Sequence, residues 1–220
     1  MIKDLRKLKD DEDVKAVVLR VNSPGGSAYG SEQIWYAVSE LKKEKPVIVS
    51  MGDYAASGGY YISCNADTIV AEPTTLTGSI GIFGMFPNAK GLTDKIGVNF
   101  DVVKTNKMAD LGASLGPVLT RPLNASEQEL MQNYVNRGYK LFVNRCAEGR
   151  KMSTEAIEKV AEGRVWTGAM AKDLGLVDEL GGIDKALNAA ATQAGIENYS
   201  IIGYPEKENI FASLLGNQKK

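Results

Sequence analysis

Two apolar runs, each followed directly by a glycine-rich turn, constrain the fold of this chain more than any other feature. Residues 14–21 (VKAVVLRV) run into a turn of sequence SPGG, and residues 46–51 (PVIVSM) lead into the segment GDYAASGG. Such runs are typical of strands buried in a parallel sheet. Between them, residues 34–41 carry apolar side chains at helical spacing. The order strand, helix, strand predicts a βαβ unit.

The glycine turns are predicted to meet, because ligands of open parallel sheets collect at the carboxyl ends of the strands. Ser57 stands at the second turn, where a helix is predicted to begin. Backbone N–H groups and the helix dipole favour negative charge there, as a serine nucleophile and its oxyanion require. We therefore expect the Ser57 hydroxyl to lie near the backbone N–H of Gly26.

Composition limits the chemistry that such a serine can use. The 220 residues include no histidine, which excludes Ser-His-Asp triads, Cys-His pairs and histidine-bound metals. A serine nucleophile would then need another base, and lysine is the known variant. Cys64 and Cys146 match no metal-ligand spacing and are predicted to be buried free thiols. No cofactor or metal is expected, and a net charge of -1 gives no general attraction to nucleic acid.

The rest of the chain continues the alternation of helix and strand, which predicts an α/β fold with a largely parallel sheet. An amphipathic helix is predicted within residues 1–13, and the glycine-rich segment 77–84 indicates close backbone packing rather than ordinary sheet. Residues 104–123 lack periodicity and are predicted to form a long loop. Further strands are predicted at 68–71, 100–103 and 199–204, with 164–168 and 174–178 resuming the alternation, and shorter helices at 92–96, 154–161 and 183–194.

A long scaffold helix is predicted from the capping box of Asn124 and Glu127 to about residue 149. Its inner surface is predicted to carry Leu130, Met131, Tyr134, Leu141, Phe142 and Cys146.

Four motifs, in order, resemble signal peptide peptidase A: LRVNSPGGS at 19–27, ASGGYYIS at 56–63 with Ala55 before it, TGSIG at 77–81, and VWTG with LGLVDE at 165–179. The resemblance covers residues 1–204. It implies the Clp and crotonase fold, with repeated ββα and βαβ units, and a serine peptidase that degrades cleaved signal peptides with a serine and lysine dyad. By motif, Ser57 would be the nucleophile, and Gly58 and Gly26 would supply oxyanion-hole amides. Gly25 would aim the Gly26 amide, although the choice of donor between these two glycines stays open.

One position departs from the family pattern. Short members carry the lysine base directly before an aspartate in a KSGxxKD segment, which here reads KTNKMAD with Ala109 at the lysine position. Lys104 and Lys107 are the local substitutes, and both are interpreted as solvated loop lysines. Long members are duplicated, with the lysine on the N-terminal half. The resemblance thus implies a C-terminal half-domain (1–204) with a tail (205–220), cut from a longer parent, and the abrupt start at Met1 agrees with this expectation.

The resemblance also implies partners and a location. Signal peptides and other short apolar peptides would be substrates, and copies of the chain would form an oligomer with a bowl-like chamber. The parent would be anchored in the bacterial inner membrane with its catalytic domain outside the cytoplasm, whereas this fragment, which lacks a membrane-length apolar run, would be soluble. Two alternatives stay open: a crotonase-like acyl-CoA enzyme, which uses no serine nucleophile, and a non-catalytic assembly domain, which Ala109 favours but the intact Ser57-Gly58-Gly59 does not.

Overall fold

A curled, mostly parallel sheet forms the centre of the protein in the computed structural model, which describes residues 1–111, 114–115 and 118–205. Within those residues the strands are β1 (Val17–Ser23), β2 (Val47–Ala56), β3 (Thr68–Ala71), β4 (Leu76–Gly78), β5 (Ser114–Leu115), β6 (Val118–Leu119), β7 (Val165–Thr167) and β8 (Glu179–Leu180). The helices are α1 (Ile2–Asp10), α2 (Ala28–Lys42), α3 (Gly58–Ser63), α4 (Lys90–Lys95), α5 (Ala125–Arg150), α6 (Thr154–Val160), α7 (Gly168–Asp173) and α8 (Ile183–Ala194).

Strand β2 organises the sheet. It pairs in parallel with β1 on one side, and on the other side it pairs first with β3, at residues 48–50, and then with β4, at residues 54–56. Strand β8 extends the sheet in parallel beyond β3, while β7 pairs with β4 in the antiparallel direction. The carboxyl end of β2 therefore projects past β3 and reaches the edge where β1 also ends.

The core explains why β2 reads as a continuous apolar run. Residues 47–52 are all buried because helices cover both faces of the sheet. On one face, Ile48 and Val70 pack against Ala186 and Ala190 of α8. On the opposite face lies the main core, which includes side chains of α3, α5, α6 and α7.

Several sequence predictions are confirmed to the residue or nearly so. Strand β3 and helix α8 have the predicted bounds, α1 lies within residues 1–13, and α5 ends at Arg150. The capping box that begins α5 is present, with the Asn124 side chain accepting from the Glu127 N–H and the Glu127 carboxylate accepting from the Asn124 N–H. The predicted fold class, α/β with a mostly parallel sheet, is confirmed at that level.

Other predictions were wrong. Residues 100–103 and 199–204 form no strand, and Val103 is fully exposed. An apolar β-branched run becomes a strand only where another strand lies beside it, and the described residues provide none at these two segments. The glycine-rich segment 77–84 was predicted to lie outside ordinary sheet, but its first residues belong to β4 and pair with β2. The close packing predicted for this segment is present, because a Cβ on Gly78 would lie 2.8 Å from the Trp166 ring.

The inner surface predicted for α5 was only partly correct. Phe142 and Cys146 are buried and Met131 is half-buried, but Leu130, Tyr134 and Leu141 are exposed. The loop predicted at 104–123 contains the short β5 and β6 pair, while residues 112–113 and 116–117 lie outside the described residues. So does the predicted tail beyond Pro205. Among the helices that are described, none combines the length and the apolar character needed to cross a membrane.

Candidate active site

Ser57 occupies a strained position between β2 and α3. Its backbone angles are φ 51° and ψ −118°, a conformation that costs a non-glycine residue about 1–3 kcal/mol. Hydrogen bonds hold it there, because the Ser57 N–H donates to the Gly78 carbonyl at 2.9 Å and the Ser57 carbonyl accepts from the Tyr61 N–H at 2.8 Å. A serine on a sharp, strained strand-to-helix turn is the arrangement by which many hydrolases expose a nucleophilic hydroxyl.

The turn after β1 packs directly against Ser57. Gly25 has a φ of +118°, and a Cβ added to it would lie 2.8 Å from the Ser57 Cβ and 3.1 Å from the Ser57 Oγ. Likewise, a Cβ on Gly58 would lie 3.2 Å from the backbone nitrogen of Gly26. The structure therefore brings Ser57, Gly58, Gly25 and Gly26 together at one edge of the sheet, and side chains larger than hydrogen would not fit at Gly25 or Gly58.

Two backbone N–H groups beside Ser57, those of Gly26 and Gly58, have no acceptor in the part of the chain that the structure describes. The Gly25 N–H donates to the Ser23 hydroxyl at 3.2 Å, whereas the Gly26 N–H has no acceptor among the described residues. Gly58 is the first residue of α3, so its N–H has no acceptor within the helix. Between the two glycines that the sequence left open, Gly26 is thus the one whose amide is available.

A small cleft of about 120 Å³ opens beside these groups. Pockets for small molecules are typically about 300–1,000 Å³, so this cleft is of a size for one side chain. The lining is mainly apolar and comes from the turn after β1, from α2, from Ser57 and α3, from the segment after β4 and from α5: Gly26, Ala28, Ser31, Ser57, Gly58, Tyr61, Gly81, Ile82, Phe83 and Phe142.

Tyr61 forms a wall of this cleft and is closely held. Its ring packs against Phe142 with centroids 4.4 Å apart, and its hydroxyl donates to the Glu32 carboxylate at 2.6 Å. Burial and the neighbouring carboxylate raise the pKa of Tyr61 well above its ordinary value, so the phenol stays neutral.

The lysine position of the family motif is on the surface. Ala109 is exposed in a turn, and the Lys104 ammonium forms an ion pair with the Asp110 carboxylate at 2.9 Å. Asp110 also pairs with Arg121 at 3.0 Å, and these cations lower the pKa of Asp110 to about 2. No hydrogen bond or ion pair that the structure describes joins Lys104, Lys107 or Ala109 to the cleft.

The sequence analysis did not single out every polar group near Ser57. Ser31 lines the cleft, and a Cβ on Gly58 would lie 2.6 Å from its Oγ. Ser79 has a positive φ of 48° and follows Gly78, whose carbonyl accepts from Ser57. The TGSIG motif was a signal for Ser79, whereas nothing in the sequence around Ser31 distinguishes it from an ordinary helix residue.

The two cysteines are buried and free, as predicted. Burial raises the pKa of the Cys146 thiol well above its usual value, so it is a poor nucleophile at neutral pH. Within the described ranges, no three histidine, cysteine, aspartate or glutamate side chains are grouped so that they could hold a metal ion.

A mostly parallel α/β sheet that presents a strained serine beside the backbone amides of Gly26 and Gly58 is typical of α/β hydrolases. Comparison with known proteins narrows this class: the chain belongs to peptidase family S49, whose profile matches residues 39–197. The resemblance to signal peptide peptidase A is thereby confirmed.

Three relatives illustrate the match. The chain is 42% identical to Protease 4 of Haemophilus influenzae, over 98% of this chain and 35% of that protein. It is 42% identical to the chloroplastic serine protease SPPA of Arabidopsis thaliana, over 89% of this chain and 28% of that protein. It is 37% identical to a putative signal peptide peptidase SppA of Enterococcus faecium, over 97% of this chain and 61% of that protein. The chain thus spans about a third of the length of the first two relatives.

Proposed function

We propose that this chain is the nucleophile-bearing part of a serine peptidase of the Clp and crotonase fold. The observation that carries the proposal is the strained Ser57, held by backbone hydrogen bonds beside the available amides of Gly26 and Gly58. Ser57 Oγ attacks the peptide carbonyl carbon, and the two N–H groups stabilise the negative charge that develops on the carbonyl oxygen. The C–N bond then breaks, the amine leaves with the proton that was taken from Ser57, and water hydrolyses the acyl-enzyme.

The proton of Ser57 requires a base that the described residues do not place at the cleft. Ala109 has a methyl group where short relatives of the resembled family carry lysine, and Lys104 is paired with Asp110. A lysine from the N-terminal half of a longer parent would serve, provided that burial keeps its amine neutral. The proposal agrees with the extent of the match, since the relatives named Protease 4 and SPPA are about three times as long.

Apolar peptides, including cleaved signal peptides, are the proposed substrates. The cleft accepts one side chain and is lined by Ile82, Phe83, Tyr61 and Phe142, which favours an apolar residue next to the scissile bond. A relative in Enterococcus faecium carries the name putative signal peptide peptidase, which supports this substrate class. The parent is proposed to be anchored in the bacterial inner membrane with this domain on the outer side.

A homo-oligomer, also in contact with the N-terminal half, is the proposed assembly. Many apolar side chains of residues 83–103 and of the first half of α5, here called the outer surface, are exposed, and Phe83 among them also lines the cleft. Apolar patches of this kind usually mark sites of association. The outer surface comprises Phe83, Met85, Phe86, Leu92, Ile96, Val98, Phe100, Val102, Val103, Leu130 and Tyr134.

Labelling with a fluorophosphonate tests the assignment of the nucleophile. Each oxyanion donor is worth roughly a hundredfold or more in rate, so Ser57 should react much faster than Ser126, an exposed serine at the start of α5. Mass spectrometry would locate the label, and Ser57→Ala should abolish it while Ser126→Ala leaves it unchanged. Equal labelling of Ser57 and Ser126 would contradict the proposal and favour a crotonase-like or non-catalytic domain.

A further inference from the structure

Three helices that build the walls of the cleft are joined by one polar cluster outside it. Helix α2 contributes Ser31 to the lining, and the next residue is Glu32. Helix α5 contributes Phe142, and Arg145 follows one turn later. Helix α3 contributes Tyr61. Glu32 and Arg145 do not line the cleft themselves. Glu32 directly follows Ser31, and Arg145 lies one helical turn after Phe142, and both of those residues do line it.

The Glu32 carboxylate is the centre of this cluster. Its Oε1 accepts from the Arg145 guanidinium at 2.6 Å, and its Oε2 accepts from the Tyr61 hydroxyl at 2.6 Å and from Arg145 Nε at 3.3 Å. The contact between carboxylate and guanidinium is the bidentate kind, which fixes orientation as well as distance. The Arg145 guanidinium also stacks on the Trp35 ring at 3.7 Å, which restricts the arginine further.

The cluster fixes the two aromatic rings of the cleft. The Tyr61 ring is held at its hydroxyl end by Glu32 and at its backbone by the hydrogen bond to the Ser57 carbonyl. The Phe142 ring packs on Tyr61 with centroids 4.4 Å apart, and its helix is tied to α2 through Arg145. Both charged side chains are about a quarter exposed, so the ion pair lies at the edge of the core and not inside it.

We propose that Glu32 and Arg145 are positioning residues, which hold Tyr61 and Phe142 in place as the wall that receives an apolar substrate side chain next to Ser57. The inference rests on the proposed function for its ligand, an apolar peptide. The two side chains do not contact the peptide; they act through the aromatic rings. Selectivity for an apolar side chain, rather than peptide binding in general, is the property that they determine.

The variants follow from the chemistry of the cluster. Glu32→Ala removes the acceptor of the Tyr61 hydroxyl and leaves Arg145 without its carboxylate partner on α2. Glu32→Gln keeps an acceptor for the phenol and should restore part of the effect. The double variant Glu32→Met with Arg145→Met removes both charges of the pair at similar volume, which protects the fold. Glu148, which also pairs with Arg145 at 3.5 Å, is exposed and keeps its hydration. Glu40→Gln, on the same helix but paired with Lys43 on the surface, is the matched control.

Peptide binding is measured in the Ser57→Ala chain, so that no chemistry intervenes. The probes are acetyl-Ala-Ala-Leu-Ala-amide and the same peptide with glycine in place of leucine, titrated by NMR. We expect the unmodified cluster to prefer the leucine peptide by roughly tenfold, the worth of burying a small apolar side chain. Glu32→Ala and the double variant should lose most of that preference, Glu32→Gln should keep part of it, and Glu40→Gln should keep all of it.

Three results would overturn the inference. One is a double variant that melts like the parent protein and keeps the full leucine preference. Another is a loss of affinity that is equal for the two peptides, because a merely structural role would weaken both alike. Absence of any leucine preference in the parent protein would also reject it. Equal labelling of Ser57 and Ser126 by the fluorophosphonate would refute the proposed function separately, since the binding assay does not depend on the Ser57 hydroxyl.

Discussion

Replacing Gly25 by alanine should disturb Ser57 more than its distance along the chain suggests. Gly25 has a φ of +118°, which is strained for an L-residue by about 1–2 kcal/mol. The new methyl would lie 2.8 Å from the Ser57 Cβ and 3.1 Å from the Gly58 nitrogen, and overpacking of this kind costs about 1–3 kcal/mol. Together these effects predict a loss of about 2–5 kcal/mol, or a fall in Tm of roughly 4–20 °C for a domain of this size.

Two other glycines separate the causes. Gly195 has a φ of +67° and no atom within 4 Å of an added Cβ, so Gly195→Ala should show the backbone cost alone, about 1–2 kcal/mol. At Gly26 an added Cβ also has nothing within 4 Å, and φ is not in the left-handed range, so Gly26→Ala should change stability by no more than about 0.5 kcal/mol. Alanine at Gly26 retains the backbone N–H.

The assay combines urea unfolding, followed by circular dichroism, with fluorophosphonate labelling of Ser57 well below the Tm. Gly25→Ala should unfold at the lowest urea concentration of the three variants and should lose labelling, because the methyl displaces the Ser57 side chain. If Gly25→Ala were no less stable than Gly195→Ala and labelled normally, the contact between the two glycine turns would be refuted, and with it the described geometry of the site.

Three further predictions concern the base, the assembly and the acid side of the stability curve. The isolated chain should hydrolyse peptide esters very slowly. Ala109→Lys should raise the rate, and co-expression with an upstream half that carries its lysine should raise it further, since general-base catalysis contributes about 10²–10⁴-fold. Rapid turnover by the unmodified chain, abolished by Ser57→Ala, would mean that a local base exists. Sedimentation at micromolar concentration should show an oligomer because of the exposed outer surface, and a clean monomer would argue against it. The pKa of Asp110 is lowered to about 2, so its contribution to stability is present above its unfolded pKa near 4 and is lost as the pH falls toward 2. Asp110→Asn should therefore lose less stability than the parent protein between pH 4 and pH 2, and identical acid profiles would show that the ion pairs with Lys104 and Arg121 contribute nothing.

Local patterns in the sequence were enough for elements whose cause is local. The capping box at Asn124 specifies the start of α5 because both of its hydrogen bonds join residues three apart. Strand β3 was predicted correctly because its four residues are buried between β2 and β8, and a continuous apolar run is typical of that position. The family motifs likewise singled out Ser57 and the two glycine turns, which the structure places in contact, whereas the role of Ser57 as nucleophile stays a prediction.

Tertiary structure decided what depends on distant partners. Residues 100–103 have the composition of a strand, but the described residues place no strand beside them, and the first half of α5 has an apolar stripe with no described core beneath it. The cluster of Glu32 and Arg145 joins side chains 113 positions apart, and the availability of the Gly26 amide became clear only once the acceptor of its neighbour was known. Sequence periodicity reports which face of an element can be buried. Whether that face, or a backbone amide, finds a partner is determined by the packing of the whole chain.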